Sequence, residues 1–180
     1  VNVDRVIMLD PNIRSSFINN IETYRARLDK FISLADIVKV SDEDLNWIQP
    51  GSQSLAEKLD LVLKAGPSIV ILTRGRNGAT AIFRDGSKIS VAAANVDVVD
   101  TVGAGDSFNA GLLAKLAEMG QLTKDALISL EPEQFHTALR FAAKVAAVTV
   151  SRSGANPPWA HELNVERPTK ESLNNRSFWG

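Results

Sequence analysis

The chain has 180 residues, 44% of them hydrophobic and 23% charged, with a formal net charge of -1. That is enough for one globular domain with a core, and too little for two ordinary ones. A near-neutral chain offers no basic face to nucleic acid or to an acidic membrane surface, and without cysteine it offers no disulfide, thiolate nucleophile or Cys-ligated metal.

No apolar run reaches membrane-spanning length, and residues 1–5 read as neither a signal nor a transit peptide, so a cytoplasmic protein is expected. Val1 is not an initiator methionine and strand-like sequence starts at once, so the chain is expected to be the later part of a longer protein.

In chain order, residues 5–10 form a short apolar run stopped by Pro11, as in a buried parallel strand. Ser15 or Ser16 is then expected to cap a helix carrying Phe17, Ile21, Tyr24, Leu28 and Phe31 at helical spacing. Residues 36–40 read as a second strand. Ser41 with Asp44 forms a capping box for a short helix ending near Pro50. A helix over 55–65 leads through Gly66-Pro67 into a strand over 68–73. Asn77-Gly78 and Asp85-Gly86 are turn pairs, which makes 79–83 and 88–91 a small β-meander. Residues 96–99 read as a strand, followed by a glycine turn and a helix to about Met119. A long helix is expected over 133–150, then loop or tail from Asn156. Strands alternating with helices indicate an α/β fold, a mostly parallel sheet covered on both faces. One domain over 1–155 and a tail over 156–180 are expected.

The chemically informative string is Asp100-Thr101-Val102-Gly103-Ala104-Gly105-Asp106-Ser107-Phe108. Glycines without a Cβ let several backbone N–H groups point into one space, and the helix that follows adds its own unpaired donors and positive dipole end. Gly103, Ala104 and Gly105 thus form a candidate anion hole for a phosphoryl group. Asp106, in the first helical turn, is a carboxylate placed beside these donors that can accept a proton. Phosphoryl transfer tolerates a weak base because its loose transition state depends mainly on positioning and charge.

This string meets every defined position of D-[ST]-x-G-A-G-D-x-[FA], and so closely resembles the second signature of the ribokinase-like (PfkB) carbohydrate kinases. The resemblance implies a three-layer αβα, Rossmann-like fold, ATP and Mg²⁺ as co-reactants, and Asp106 as catalytic base. Asp10-Pro11-Asn12-Ile13-Arg14 looks like the D-x-N-x-R segment of the fructokinase and ketodeoxygluconate kinase branches, which implies that Asn12 and Arg14 face substrate and phosphates. Arg14 could clamp phosphate or carboxylate oxygens bidentately. The stretch 39–45 is similar to K-V-S-D-E-E-L of fructokinases. It implies that Asp44, with Glu43 as a near alternative, influences Mg²⁺ through water, a role compatible with the capping box.

Thr73, Gly75 and Gly78 match the family's T-x-G-x-x-G segment, which approaches the nucleotide. The resemblance places Ala143, on an alanine-rich helix, beside the adenine, with Asn156 also at the nucleotide. Residues 151–155 match a terminal S-R-x-G-A turn, implying a K⁺-type monovalent site at Asp100, Val102 and Gly154. His136 and His161 read as ordinary surface or core residues, and Trp47, Trp159 and Trp179 as packing or tail.

The family's glycine-rich first signature and β-strand lid have no counterpart here. The chain is therefore expected to correspond to the second half of a member, to present much of the ATP site and to bind sugar weakly. A homodimer through the lids is implied for the longer protein. Fructose is the expected acceptor, with 2-keto-3-deoxygluconate next and ribose or a nucleoside behind. A non-catalytic nucleotide-binding module is the alternative from another class. A dinucleotide dehydrogenase is disfavoured because no G-x-G-x-x-G follows the first strand.

Overall fold

The computed structural model describes residues 4–163. Five strands form one sheet in the order β1 (Met8–Leu9), β2 (Ile37–Ser41), β3 (Ile69–Thr73), β4 (Ala79–Phe83) and β5 (Lys88–Val91). β1, β2 and β3 run parallel, while β3–β4 and β4–β5 pair antiparallel. The expected meander is therefore no separate motif. It continues the parallel sheet from β3, with Thr73 opposite both Ser41 and Ala79.

Helices cover both faces. α1 (Ile21–Leu34), α2 (Asp42–Ile48) and α3 (Leu55–Lys64) lie on one; α4 (Ala104–Glu118), α5 (Lys124–Ile128) and α6 (Pro132–Val150) lie on the other. The strands divide their side chains by the two-residue period. Ile37, Ile69 and Ile71 pack with Phe108, Leu112 and Phe135, whereas Val38, Val40, Val70 and Leu72 pack with Leu28, Leu45 and Val62. Both faces are dry, which is why β2 and β3 read as near-continuous apolar runs rather than alternating ones.

α4 and α6 approach closely because Gly111 has no side chain: a Cβ there would lie 2.9 Å from Val145 Cγ2 and 3.1 Å from Ala142 Cα. Buried Ala138 and Ala142 serve this packing.

Four expectations need correction. The first strand spans only Met8–Leu9, and Arg5 pairs instead with Thr123 in an isolated antiparallel bridge. The first helix starts at Ile21, not after Ser15. Asn20 caps it through Thr23 N at 2.8 Å, Ser15–Phe17 form a 3₁₀ turn, and Phe17 is 81% exposed. Residues 96–99 form no strand, and Val98 and Val99 are both 62% exposed. The N–H groups of Val99 and Asp100 go instead to Val150 O, at 2.8 and 3.2 Å. β-branched residues favour a strand only where a pleated, half-buried surface receives them. Finally, α5 was not expected; it is capped by Thr123.

The segment from residue 156 does not leave the domain at once. Residues Ala160–Leu163 form a 3₁₀ turn with Leu163 buried, Lys144 Nζ donates to Leu163 O at 3.1 Å, and Arg152 pairs with Glu162. The remainder of the expected tail, including Trp179, lies outside the described residues. No helix among the described residues is long and apolar enough to cross a membrane.

Candidate active site

α4 begins at the carboxyl edge of the sheet. Gly103 caps it with left-handed backbone, φ 77° and ψ 1°, which only glycine adopts without strain. Its missing side chain also matters: a Cβ would lie 2.9 Å from Ala155 Cβ, so the turn sits directly against the 151–156 loop. Asp100 fastens the two together, accepting from Val102 N at 3.0 Å and Gly154 N at 2.9 Å. Those backbone donors, Val102 first, hold its carboxyl below the ordinary carboxylate value. The structure thus joins Asp100, Val102 and Gly154, the residues expected at a monovalent site.

The expected anion-hole residues Gly103, Ala104 and Gly105 all lie at the head of α4. Ala104 N is spent on Thr101 O at 3.2 Å. The N–H groups of Gly103, Gly105 and Asp106 have no acceptor among the described residues, and they form the donor set at the positive end of a 15-residue helix.

Asp106 is exposed, and its carboxylate makes no hydrogen bond or ion pair among the described residues. Its neighbours differ. Asp10 Oδ2 accepts from Lys39 Nζ at 2.6 Å and from Asn109 Nδ2 at 2.8 Å. Asp44 is buried, with Oδ1 taking Ile13 N at 2.8 Å and Oδ2 taking Ser41 Oγ at 2.8 Å and Ser41 N at 3.3 Å. Among these aspartates, Asp106 alone keeps its oxygens free.

Asp44 therefore completes the expected capping box, with Ser41 Oγ accepting from Asp44 N at 3.0 Å, and also anchors the turn after β1. That turn is tight: Asn12 has φ 42°, which asparagine tolerates better than most residues. Glu43 is exposed in the first turn of α2. Arg14 is exposed, with one guanidinium N–H on Ile13 O at 3.1 Å and the rest of its fork available. Asn12 and Arg14 line an open cleft of about 480 Å³ with Tyr24 and Arg27.

A second cleft, of about 670 Å³, lies between residues 90–94 and α6 and includes Ala143, with His136 and Arg140 at its border. Ala142 is buried in the core, whereas Ala143 is partly buried and lines this cleft. Thr73 ends β3 and its hydroxyl reaches Val40 O at 3.4 Å. Gly75 is open, with φ 49° and no atom within 4 Å of a Cβ position. Gly78 is not. With φ 80°, a Cβ would meet Val91 O at 2.0 Å and Ala93 N at 2.9 Å, so this glycine shapes the wall of the second cleft. Asn156 is exposed beyond the 151–155 loop and does not line the cleft that holds Ala143.

Sequence reasoning missed three site residues: Asp10, Lys39 and Asn109. A lysine amid the apolar residues of a buried strand was the available signal, since lysine is almost never fully buried unless paired.

The pfkB family carbohydrate kinase profile matches residues 4–162. A fructokinase of Rhizobium leguminosarum bv. trifolii is 44% identical over 131 residues, covering 72% of this chain and 39% of the relative. A Klebsiella pneumoniae fructokinase is 33% identical over 161 residues, covering 89% and 50%. Among solved structures, Xylella fastidiosa fructokinase with bound ATP superposes with a TM-score of 0.76 at 30% identity, covering 84% of this chain and 48% of that one. Salmonella enterica aminoimidazole riboside kinase, complexed with aminoimidazole riboside and an ATP analog, gives 0.76 at 28% identity, covering 88% and 51%. The chain thus spans about half the length of most of these relatives. With the signature string at the head of α4 and a family match over nearly every described residue, this chain belongs to the pfkB family of carbohydrate kinases.

Proposed function

We propose that this chain supplies the nucleotide-binding and catalytic-base side of an ATP-dependent sugar kinase, with fructose as the acceptor. The observation that carries the reading is the contrast at α4: an exposed Asp106 beside three backbone N–H groups at a helix N-terminus, none of them with a partner among the described residues. The fructokinase relatives support the choice of sugar.

In this reading the N–H groups of Gly103, Gly105 and Asp106 bind the oxygens of the transferring phosphoryl group, where charge gathers in the transition state. Asp106 takes the proton of the acceptor hydroxyl as its oxygen bonds to the γ-phosphorus, and the bond to the β-phosphate oxygen breaks to release ADP. Arg14 clamps phosphate oxygens from the turn after β1. The cleft bordered by Ala143 takes the adenine. No cluster of three or more His, Cys, Asp or Glu side chains suited to a metal occurs among the described residues. That fits Mg²⁺, which is commonly held by phosphates and water with only one or two carboxylates. Glu43 would offer it an exposed carboxylate, Asp44 being committed to Ser41 and Ile13. When bound, Mg²⁺ neutralises phosphate charge. Asp100, Val102 and Gly154 would hold a monovalent cation beside the turn. A cytoplasmic setting suits a protein that uses ATP and carries no cysteine.

A keto-acid acceptor such as 2-keto-3-deoxygluconate is the second reading, favoured by Arg14 and Arg27 lining one cleft where a carboxylate could pair with either. The test is ATP binding and ADP release with fructose, 2-keto-3-deoxygluconate, ribose and adenosine, measured on this chain and on any longer natural chain that contains it. Asp106→Asn is run alongside. We expect fructose-dependent ADP release that falls roughly 10²–10⁴-fold in the variant while ATP affinity holds. ATP binding with no acceptor-dependent turnover in any form would favour a non-catalytic nucleotide-binding module.

A further inference from the structure

Lys39 lies between Val38 and Val40 in β2 and is 6% exposed. Strand alternation turns it to the side that Ile37 faces, towards α4. Its ammonium meets Asp10 Oδ2 at 2.6 Å, and Asp10 is its one hydrogen-bonding partner among the described residues. Gly105 lies against it: a Cβ there would sit 3.2 Å from Lys39 Nζ and 3.9 Å from Asp10 Oδ2. Gly105 has none of the left-handed backbone that demands glycine. What its missing side chain supplies is a close approach between the ammonium and the turn.

A strut between sheet and helix does not require this arrangement. Burying an ammonium is costly, and a well-packed apolar pair of the same volume holds two elements together at least as well. Placing the cation under the N-terminus of α4 sets it against the positive end of the helix dipole. An anion at the turn turns both charges to advantage. The ammonium also has three donors, of which Asp10 takes one.

We infer that Lys39 is a further electrostatic component of the phosphate-binding turn, with Asp10 as its positioning residue; the inference rests on the nucleotide-binding reading of residues 103–106. Asp10 holds the ammonium under Gly105. The same oxygen binds Asn109 Nδ2, one turn along α4 from Asp106, so one carboxylate sets both the cation and the helix that carries the base. Asp10 also begins the turn bearing Asn12 and Arg14. Lys39 thus acts on phosphate, and leaves the nucleoside untouched.

That difference provides the test. Adenosine, ADP and ATP are titrated calorimetrically into the natural chain, Lys39→Gln and the double variant Lys39→Met/Asp10→Asn, each checked for folding by circular dichroism. The double variant removes both charges together and leaves no unpaired buried ion. Lys39→Gln keeps a hydrogen bond to Asp10 and gives a second reading of the same ratio. We expect ATP affinity to fall about tenfold or more, the scale of a lost charge-assisted hydrogen bond, with ADP losing less and adenosine unchanged. A folded variant that binds ATP as the natural chain does, or that weakens ATP and adenosine equally, would make Lys39 a strut and overturn the inference. If the natural chain binds neither ATP nor adenosine, the nucleotide-binding reading itself fails and takes this inference with it.

Discussion

The chain turns on glycine twice at the carboxyl edge of its sheet, after β3 and ahead of α4, and the two turns serve different ends. Residues 74–78 close on themselves: Gly78 N donates to Gly75 O at 3.0 Å, Arg74 N donates to Gly78 O at 2.9 Å, and the chain returns as antiparallel β4. Residues 103–106 leave the N–H groups of Gly103, Gly105 and Asp106 without an acceptor among the described residues and open into a 15-residue helix with a buried cation beneath. Both turns contain left-handed glycine, φ 80° at Gly78 and φ 77° at Gly103. Glycine alone therefore does not set what a turn presents. A helix that leaves backbone donors without an acceptor among the described residues distinguishes the one from the other.

Four substitutions would break or sharpen that contrast. The largest effect is expected at Gly78→Ala, whose Cβ would press on the Val91 carbonyl at 2.0 Å. Backbone strain and overpacking together should cost roughly 3–5 kcal/mol in urea unfolding, so a variant as stable as the natural chain would show the first turn to be pliable. Gly103→Ala should cost about 2 kcal/mol, since Ala155 can shift, yet its main result should be weaker ATP binding as the donors lose alignment. Unchanged ATP affinity by calorimetry would remove Gly103 from the anion hole.

The third effect depends on pH. Asp100 titrates below its ordinary value in the folded chain, so its stabilising contribution is present above the ordinary carboxylate range and is lost as pH falls through the depressed value. Melting temperature followed from about pH 7 to about pH 3 should show Asp100→Asn lowering stability at neutral pH and converging with the natural chain in acid. Parallel curves would mean that Val102 and Gly154 gain nothing from its charge. The smallest effect is expected at Gly75→Ala, about 1 kcal/mol, because φ 49° is mildly strained for alanine and no atom lies within 4 Å of the new methyl. A loss as large as that at Gly78 would mean the two glycines act as one unit.

Much of the fold was legible because it rests on local signals. The periods of β2 and β3, the capping box at Ser41, and the Asn77-Gly78 and Asp85-Gly86 turns each act within a few residues. Local reasoning failed where a distant partner decided the outcome. Residues 96–99 had strand propensity, but Val99 N and Asp100 N go to Val150 O instead of a neighbouring strand. The start of the first helix, by contrast, was set locally, by Asn20 capping Thr23 N in place of Ser15 or Ser16. In the site, the string at 100–108 placed Asp106 and the turn. It could not show that Thr101 takes the N–H of Ala104, since that depends on how the turn closes.

By itself, the sequence determined the α/β pattern, the glycine turn and the aspartate that opens α4, because propensity, capping and hydrophobic period are properties of neighbouring residues. Only the tertiary structure decided which carboxylates are spent and which is free. Asp10 meets Asn109 across 99 positions and Asp100 meets Gly154 across 54, while Asp106 has no side-chain partner among the described residues. Burial and pairing are relations between segments far apart in the chain, and folding must bring those segments together before a charged group's role is set.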